Sequence, residues 1–258
     1  MEEIEQIAVI YVTHGQKTTK NEPVIREAPF TIIFNDKELA TLQCTPSGLV
    51  YLAVGFLLSQ GLLKQKEDIQ QMVVNEEGIR VDAKVTSLEM EFLTPRRLIG
   101  SASASVIPSY QAMDAQDMAT VDSDVQVYRS TLFRLMKEFE QRSSLYKETR
   151  GNHSCALYNT EGAIEAFAED IGRHNAVDKV FGECLLRDIP TGDKILVTSG
   201  RISSEILIKV AKRKTPFIVS LGAPTSLSIS LAKNLGVTVI SFVRGEGLAV
   251  YTGSQRVI

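Results

Sequence analysis

Cysteine is scarce in this 258-residue chain: Cys44, Cys155 and Cys184 are the only thiols, too few and too scattered for a disulfide framework or a four-thiolate zinc site. A basic excess is also missing. The 28 Lys and Arg face 31 Asp and Glu for a net charge of -3, which removes the electrostatic footprint of a nucleic-acid binder. No run approaches the roughly 18 apolar residues of a membrane-spanning helix. Residues 1–5 are acidic and lack the basic stretch and apolar core of a secretory leader. The expectation is a soluble cytoplasmic protein with neither membrane nor nucleic acid among its partners. What is present is ordinary, 44% apolar and 23% charged, and long enough for a full core in one large domain or two smaller ones.

Strands are expected over residues 7–12 and 30–34, separated by a polar loop with Lys17, Lys20, Asn21 and Pro23, and over 38–44 after the turn-like Asn35-Asp36. Thr45-Pro46 reads as a helix start, with Thr as cap and Pro in the first turn; Leu49, Leu52, Ala53, Phe56 and Leu57 form the buried stripe and Gly61 lies near the end. A β-ribbon over 72–74 and 79–82, continued by 85–93, completes a mixed α/β N-terminal domain, residues 1–94, with mostly antiparallel pairing. Residues 95–122 dissolve into Gly, Ser, Ala and polar residues, a mobile loop or linker.

The second domain, residues 123–258, opens with an amphipathic helix over 124–142 whose apolar face carries Tyr128, Leu132, Leu135, Met136 and Phe139. A hairpin over 155–159 and 163–168 follows. Strands at 194–198, 217–221 and 237–243 then alternate with helices at 203–213 and 226–235. Such alternation predicts an α/β domain with a largely parallel sheet covered on both faces.

The organising stretch is Glu169-Asp170-Ile171-Gly172-Arg173-His174-Asn175-Ala176-Val177-Asp178-Lys179, a loop feeding into a helix. Val177, Val180, Phe181, Cys184 and Leu185 recur at helical spacing, so one face goes to the core while Asp178 and Lys179 point elsewhere. Asp170, Arg173, His174 and Asn175 then cluster at a helix entrance, where free amides favour anions. Loops leaving the carboxyl ends of parallel strands share one edge, where ligands bind. Three exits carry marked residues: Ser199-Gly200-Arg201, Gly222-Ala223-Pro224-Thr225 and Arg244-Gly245-Glu246-Gly247. Three arginines, close-approach glycines and helix N-termini suit a phosphate-bearing ligand. The structural alternative is surface arginines that answer nearby carboxylates.

These residues carry a resemblance. The 169–179 stretch, Val197-Thr198-Ser199-Gly200-Arg201 followed by Glu205, Ala223-Pro224-Thr225, Phe242-Val243-Arg244-Gly245, Val250-Tyr251-Thr252 and Gln255-Arg256 resemble the FdhD/NarQ family, and Cys44-Thr45-Pro46 with Ala53-Val54-Gly55-Phe56-Leu57 match its N-terminal half in order. The resemblance covers nearly the whole chain. It implies a sulfurtransferase accessory protein for formate dehydrogenase, usually a homodimer, whose C-terminal domain is a three-layer fold similar to cytidine deaminase. It further implies that persulfide sulfur passes from a cysteine desulfurase to the molybdenum bis(molybdopterin guanine dinucleotide) cofactor, making it usable by the formate dehydrogenase catalytic subunit. The guanine nucleotide end of that cofactor fits the phosphate edge, and the cofactor-binding segment falls on Phe242, Val243, Arg244, Gly245, Glu246 and Gly247, beside Ser199, Gly200, Arg201, Arg173, His174 and Asp170.

The departure lies at the chemical centre. After the basic stretch Thr94-Pro95-Arg96-Arg97, where the family has a cysteine, often in a Cys-x-x-Cys pair, this chain has Gly100-Ser101-Ala102-Ser103-Ala104-Ser105. A serine hydroxyl at Ser101, Ser103 or Ser105 neither attacks as a thiolate nor carries a terminal sulfur. Three explanations stay open: a cysteine has been replaced in this chain, the protein binds cofactor or nucleotide as a chaperone without transferring sulfur, or another cysteine serves. Cys155, beside Gly151, Asn152 and His153, is the substitute to consider; its place in an apolar strand also suits a buried structural thiol. Cys44 and Cys184 read as packing residues. A deaminase-like hydrolase is a poorer match, because His153-Ser154-Cys155 lacks the Glu of His-x-Glu and no paired cysteines complete a zinc site; no protein-ligated metal is expected.

Overall fold

The structure, a computed structural model, describes residues 2–75, 78–83, 98–99, 118–244 and 247–258. Strands β1 (Ile4–Thr13) and β2 (Gln16–Ile25) form a ribbon turned at His14 and Gly15, both at positive φ (49° and 80°). That tight turn sets the register, so the residues expected in a polar loop are a strand: Lys17 faces Val12, Lys20 faces Val9 and Asn21 faces Ala8. Among the described residues no third strand pairs with this ribbon, which lets Pro23 sit in β2 opposite Gln6.

A second sheet has the order β5 (Ile69–Val74), β6 (Gly78–Ala83), β3 (Ala28–Phe34), β4 (Lys37–Cys44) and β7 (Leu98–Ile99). Phe30, Ile32 and Phe34 alternate onto its buried face. Pairing is antiparallel within β3–β4 and β5–β6, as expected, and parallel for β3–β6 and β4–β7. The 85–93 continuation lies outside the described residues. Helix α1 runs Leu49–Ser59 and is capped by Gly48 at φ 59°, not by Thr45. Thr45 is occupied elsewhere: its hydroxyl accepts from Ile171 N at 3.1 Å and its N–H donates to Asp170 Oδ2 at 3.2 Å.

The C-terminal sheet has the order β13 (Gly247–Thr252), β12 (Thr238–Arg244), β11 (Phe217–Ser220), β10 (Ile195–Thr198), β8 (His153–Tyr158) and β9 (Ile164–Asp170). The α/β class holds, and the parallel part is confined to β10, β11 and β12. Helical crossovers join these strands, and the helix Arg173–Leu186 joins β9 to β10 around the intervening β8, whereas β8–β9 and β12–β13 are hairpins and must be antiparallel. Helix α2 (Arg129–Arg142) covers one face through Leu132, Leu135, Met136 and Phe139. It starts later than expected, because Val127 bridges to Val257 in extended conformation. After the short α3 (Ser144–Thr149), helices α4 (Arg173–Leu186), α5 (Ser204–Lys212) and α6 (Ser226–Leu235) cover the other face. Three layers result.

Helix α1 is buried nearly all round, Leu52 to Leu58 without a break, because it lies between its own sheet and α4. Two glycines set that crossing. A Cβ on Gly55 would stand 1.8 Å from Asp178 O, and one on Gly182 would stand 1.9 Å from Tyr51 O. The helix backbones touch, so no side chain can be added without moving them apart. Gly182→Ala gains about 1 kcal/mol in helix propensity. Overpacking against main chain costs about 1–3 kcal/mol or more. The expected outcome is a net loss of up to about 2 kcal/mol in urea unfolding; a midpoint above that of the parent protein would refute this crossing.

Candidate functional site

The exits of β10, β11 and β12 are stitched by two buried serines. Ser220 Oγ donates to Gly200 O at 2.6 Å, and Ser241 Oγ donates to Gly222 O at 2.6 Å. Where the ladder ends, carbonyl groups lose their strand partners, and these hydroxyls satisfy them. The loops are thus held flush. A Cβ on Gly222 would lie 2.9 Å from Arg201 N, and one on Gly200 would lie 2.8 Å from Arg173 Cβ, so the stem of Arg173 rests directly on Gly200.

Two guanidinium groups meet there. Neither Arg173 nor Arg201 has a carboxylate within ion-pairing distance among the described residues, and burial together with the Arg201 charge pulls the Arg173 guanidinium down from its usual value. Glu205, in the first turn of α5, has Oε2 3.1 Å from Nε2 of the buried His174, whose Nδ1 has no partner among the described residues. His174 holds Glu205 below the usual carboxylate range, while burial lowers His174 itself. His153 Nδ1 lies 3.2 Å from Ser199 Oγ, and burial, then Arg173 and His174, lower it too. Two arginines without carboxylate partners beside two imidazoles biased to neutrality make a site for an anionic ligand. A cavity of about 640 Å³ opens alongside, lined by Tyr146, Arg150, Asn152, His153, Ser199 and Leu221 among others. A larger depression of about 870 Å³ between α2 and the C-terminus, lined by Tyr128, Phe133, Val250 and Ile258, contains none of this cluster.

A sequence model described as the FdhD/NarQ family matches residues 25–258. The chain belongs to the FdhD/NarQ family. It is 39% identical over 245 residues to the sulfur carrier protein FdhD of Bacillus pumilus, covering 94% of this chain and 93% of that one. It is 36% identical over 246 residues to its namesake in Bacillus subtilis, covering 94% and 93%. A crystal structure from Desulfotalea psychrophila, described as a candidate formate dehydrogenase accessory protein, superposes with a TM-score of 0.82 at 27% identity and full coverage of both chains.

Within this FdhD/NarQ fold the sequence-derived site residues separate. Arg173, His174, Ser199, Gly200 and Arg201 converge as described. Asp170 does not face a ligand: it is fully buried, with Oδ2 on Lys179 Nζ at 2.7 Å and Oδ1 accepting from Gly172 N at 2.8 Å and Asn175 Nδ2 at 2.9 Å. It is a structural group. Asp178 and Lys179 likewise are buried rather than turned away from the core, Asp178 Oδ2 accepting from Lys209 Nζ at 2.5 Å. Phe242 is exposed at φ 54°, a strained conformation for a bulky residue, beside a bulge in β12, and Val243 is buried. Arg244 pairs with Gly247 across the β12–β13 turn. Gly245 and Glu246 lie outside the described residues, as do Ser101, Ser103 and Ser105 and most of the expected 95–122 loop. Cys44, Cys155 and Cys184 are all fully buried; burial pushes Cys44 and Cys184 up to about 12 and Cys155 well above its usual value. Sequence reasoning missed Tyr146, Arg150 and the wall they form, since α3 and its turn carry no periodic signal.

The lowered histidines make stability acid-sensitive. Both start from a usual value of 6.5, so below that pH the unfolded chain binds protons before the folded one does. Stability is therefore expected to fall as pH drops from 6.5, by up to about 1.4 kcal/mol per pH unit for each such proton. His174→Asn should flatten that slope in urea unfolding at pH 7.5, 6.5 and 5.5, and an unchanged slope would place His174 outside the effect.

Proposed function

We propose that this protein is an accessory factor for formate dehydrogenase that holds the molybdenum bis(molybdopterin guanine dinucleotide) cofactor as cargo, through its nucleotide phosphates, without carrying sulfur on a thiol of its own. Its relatives are named sulfur carrier proteins, and sulfur carriage needs a thiolate that a persulfide donor can reach. The observation that carries the reading is the state of the three cysteines. All are buried with their thiols pushed toward the protonated form, and none lies in the arginine edge. The anchoring half of the task is supported by Arg173, whose stem rests on Gly200, and Arg201, whose charge acts on it, neither with a carboxylate in ion-pairing distance among the described residues. Bidentate phosphate recognition is the chemistry such a pair performs best. The resemblance extends the proposal to encounters with a cysteine desulfurase and the formate dehydrogenase catalytic subunit, and to a homodimer.

A second reading is favoured by one observation. Cys155 pairs with Thr198 across β8 and β10, directly beneath the Ser199-Gly200-Arg201 exit. If local opening exposed it, its thiolate would attack the terminal sulfur of the desulfurase persulfide, forming a persulfide on Cys155 and releasing the desulfurase cysteine as thiolate. Incubation with a cysteine desulfurase and cysteine, followed by mass spectrometry of the intact protein, separates the readings. The expected result is no persulfide on any of the three cysteines; sulfur uptake abolished by Cys155→Ala would establish the second reading. For the anchoring site, calorimetry with GDP should show binding that Arg173→Ala or Arg201→Ala weakens about tenfold, the loss of a charge-assisted contact. No heat and no competition from GDP would remove the edge assignment.

A further inference from the structure

The β1–β2 ribbon stands away from the other described residues. Apart from each other, its strands pack chiefly on α3 at the base, where a Cβ on Gly151 would meet Ile25 Cγ2 at 2.7 Å. Ten residues a strand give it a length of about 33 Å. Its register places Ala8, Ile10 and Val12 with Asn21, Thr19 and Lys17 on one face, and Ile7, Val9 and Tyr11 with Glu22, Lys20 and Thr18 on the other. Large apolar side chains are exposed on both faces, Ile10 at 62% and Val12 at 64% on the first, Ile7 and Tyr11 on the second. A two-stranded ribbon by itself is at best marginally stable in water, and its open edges invite pairing, so one of this length needs cover. A lipid surface would cover a single face. Apolar groups on both faces call for a protein partner that encloses the ribbon.

The same chain carries a matching recess. The depression of about 870 Å³ between α2 and the C-terminal residues is walled by Phe133, Val250 and Val257, with Tyr128 65% and Ile258 48% exposed. It lies at the start of α2, whereas the ribbon base lies on α3, just past the end of α2, so the length of α2, about 21 Å, separates them. A two-fold axis crossing the middle of α2 at right angles sets each ribbon base opposite its partner's depression, within the ribbon's reach. Charge agrees with this pairing. Residues 8–21 carry Lys17 and Lys20 and no carboxylate, while Asp122 and Asp124 are exposed close to the depression, on the segment that Arg256 Nε holds through Ser123 O at 3.0 Å.

We propose that the β1–β2 ribbon is an arm that docks in the depression of a second copy of this chain, each copy giving its arm and receiving its partner's. The two contacts close on one two-fold axis and stop at the dimer. Two ten-residue strands and the eight residues lining the depression supply the roughly 20–30 residues a side of a standard interface. The inference rests on the homodimer included in the proposed function and assigns its contact. The FdhD/NarQ model begins at residue 25, so all of the ribbon but its last residue lies outside the part that defines the family.

The test is sedimentation of the full chain over a range of concentrations. The unmodified protein should be a dimer, and Ile10→Asp in the arm or Tyr128→Asp in the depression should each raise its Kd about tenfold or more, because each puts a charge into an apolar contact. Both positions are exposed, and thermal melting of each variant checks the fold. Crosslinking tests the pairing with milder substitutions. The three native thiols are buried and take no reagent, so a bismaleimide added to a mixture of Ile10→Cys and Tyr128→Cys chains should join one of each into a covalent dimer. Equal crosslinking of either variant alone would overturn the pairing of arm with depression. So would a chain carrying both substitutions that closes on itself as a monomer, since the ribbon would then cover its own depression. A dimer that neither aspartate weakens would overturn the arm and leave the homodimer standing on another surface. A monomer at every concentration would remove the homodimer and the arm together.

Discussion

The contact between α1 and α4 is the constraint on which the site depends. Gly55 and Gly182 bring the two helix backbones together, and buried charge then fixes their relative position along the axis. Asp170 and Lys179 pair at 2.7 Å, and Lys179 Nζ also donates to Thr45 O at 3.2 Å and Glu169 O at 3.0 Å. At the adjacent position of α4, Asp178 accepts from Ser59 Oγ at 2.5 Å and from Lys209 Nζ at 2.5 Å. Such pairs add little net stability, since desolvation offsets their attraction, yet losing one partner costs about 3–5 kcal/mol because the other charge is stranded. They act as a register. Helix α4 begins with Arg173 and His174, so fixing it against β4, α1 and α5 fixes where these two side chains stand.

Each of these polar residues is satisfied by a partner far away in sequence, which explains what could be read from the residues alone and what could not. The alternation from β8 to β13 was legible because apolar periodicity and Gly-rich exits are local signals, and the placement of Ser199, Gly200 and Arg201 on a strand exit followed from it. Asp178 and Lys179 were not legible as buried. Their partners Ser59, Lys209 and Thr45 come from other elements, and a charged residue on a helix ordinarily marks the solvent face. The same holds for Asp170, whose polarity suggested a ligand and whose oxygens are occupied by Lys179, Thr45, Gly172 and Asn175.

Strand β2 illustrates the opposite failure of local reading. Much of the ribbon is exposed on both faces, so nothing in its composition distinguishes Lys17, Lys20 and Asn21 from loop residues; register comes from the His14-Gly15 turn alone. The cavity wall was hidden for a further reason. Arg150 is a non-glycine residue at positive φ, and it is this turn that brings Tyr146, Asn152 and His153 onto one surface.

Recognition and sulfur chemistry are physically separable in this fold. The arginine pair, the stitching serines and the His153–Ser199 contact stand on the start of α4, on β8 and β12, and at the ends of β10 and β11, held by bonds that involve no thiol. Cys155 and Cys184 contribute apolar volume to the core between the sheet and α4, and Cys44 does so under α1. Ser101, Ser103 and Ser105 offer no thiolate, whereas the arginines, serines and imidazoles of this edge need none for the contacts that hold them in place.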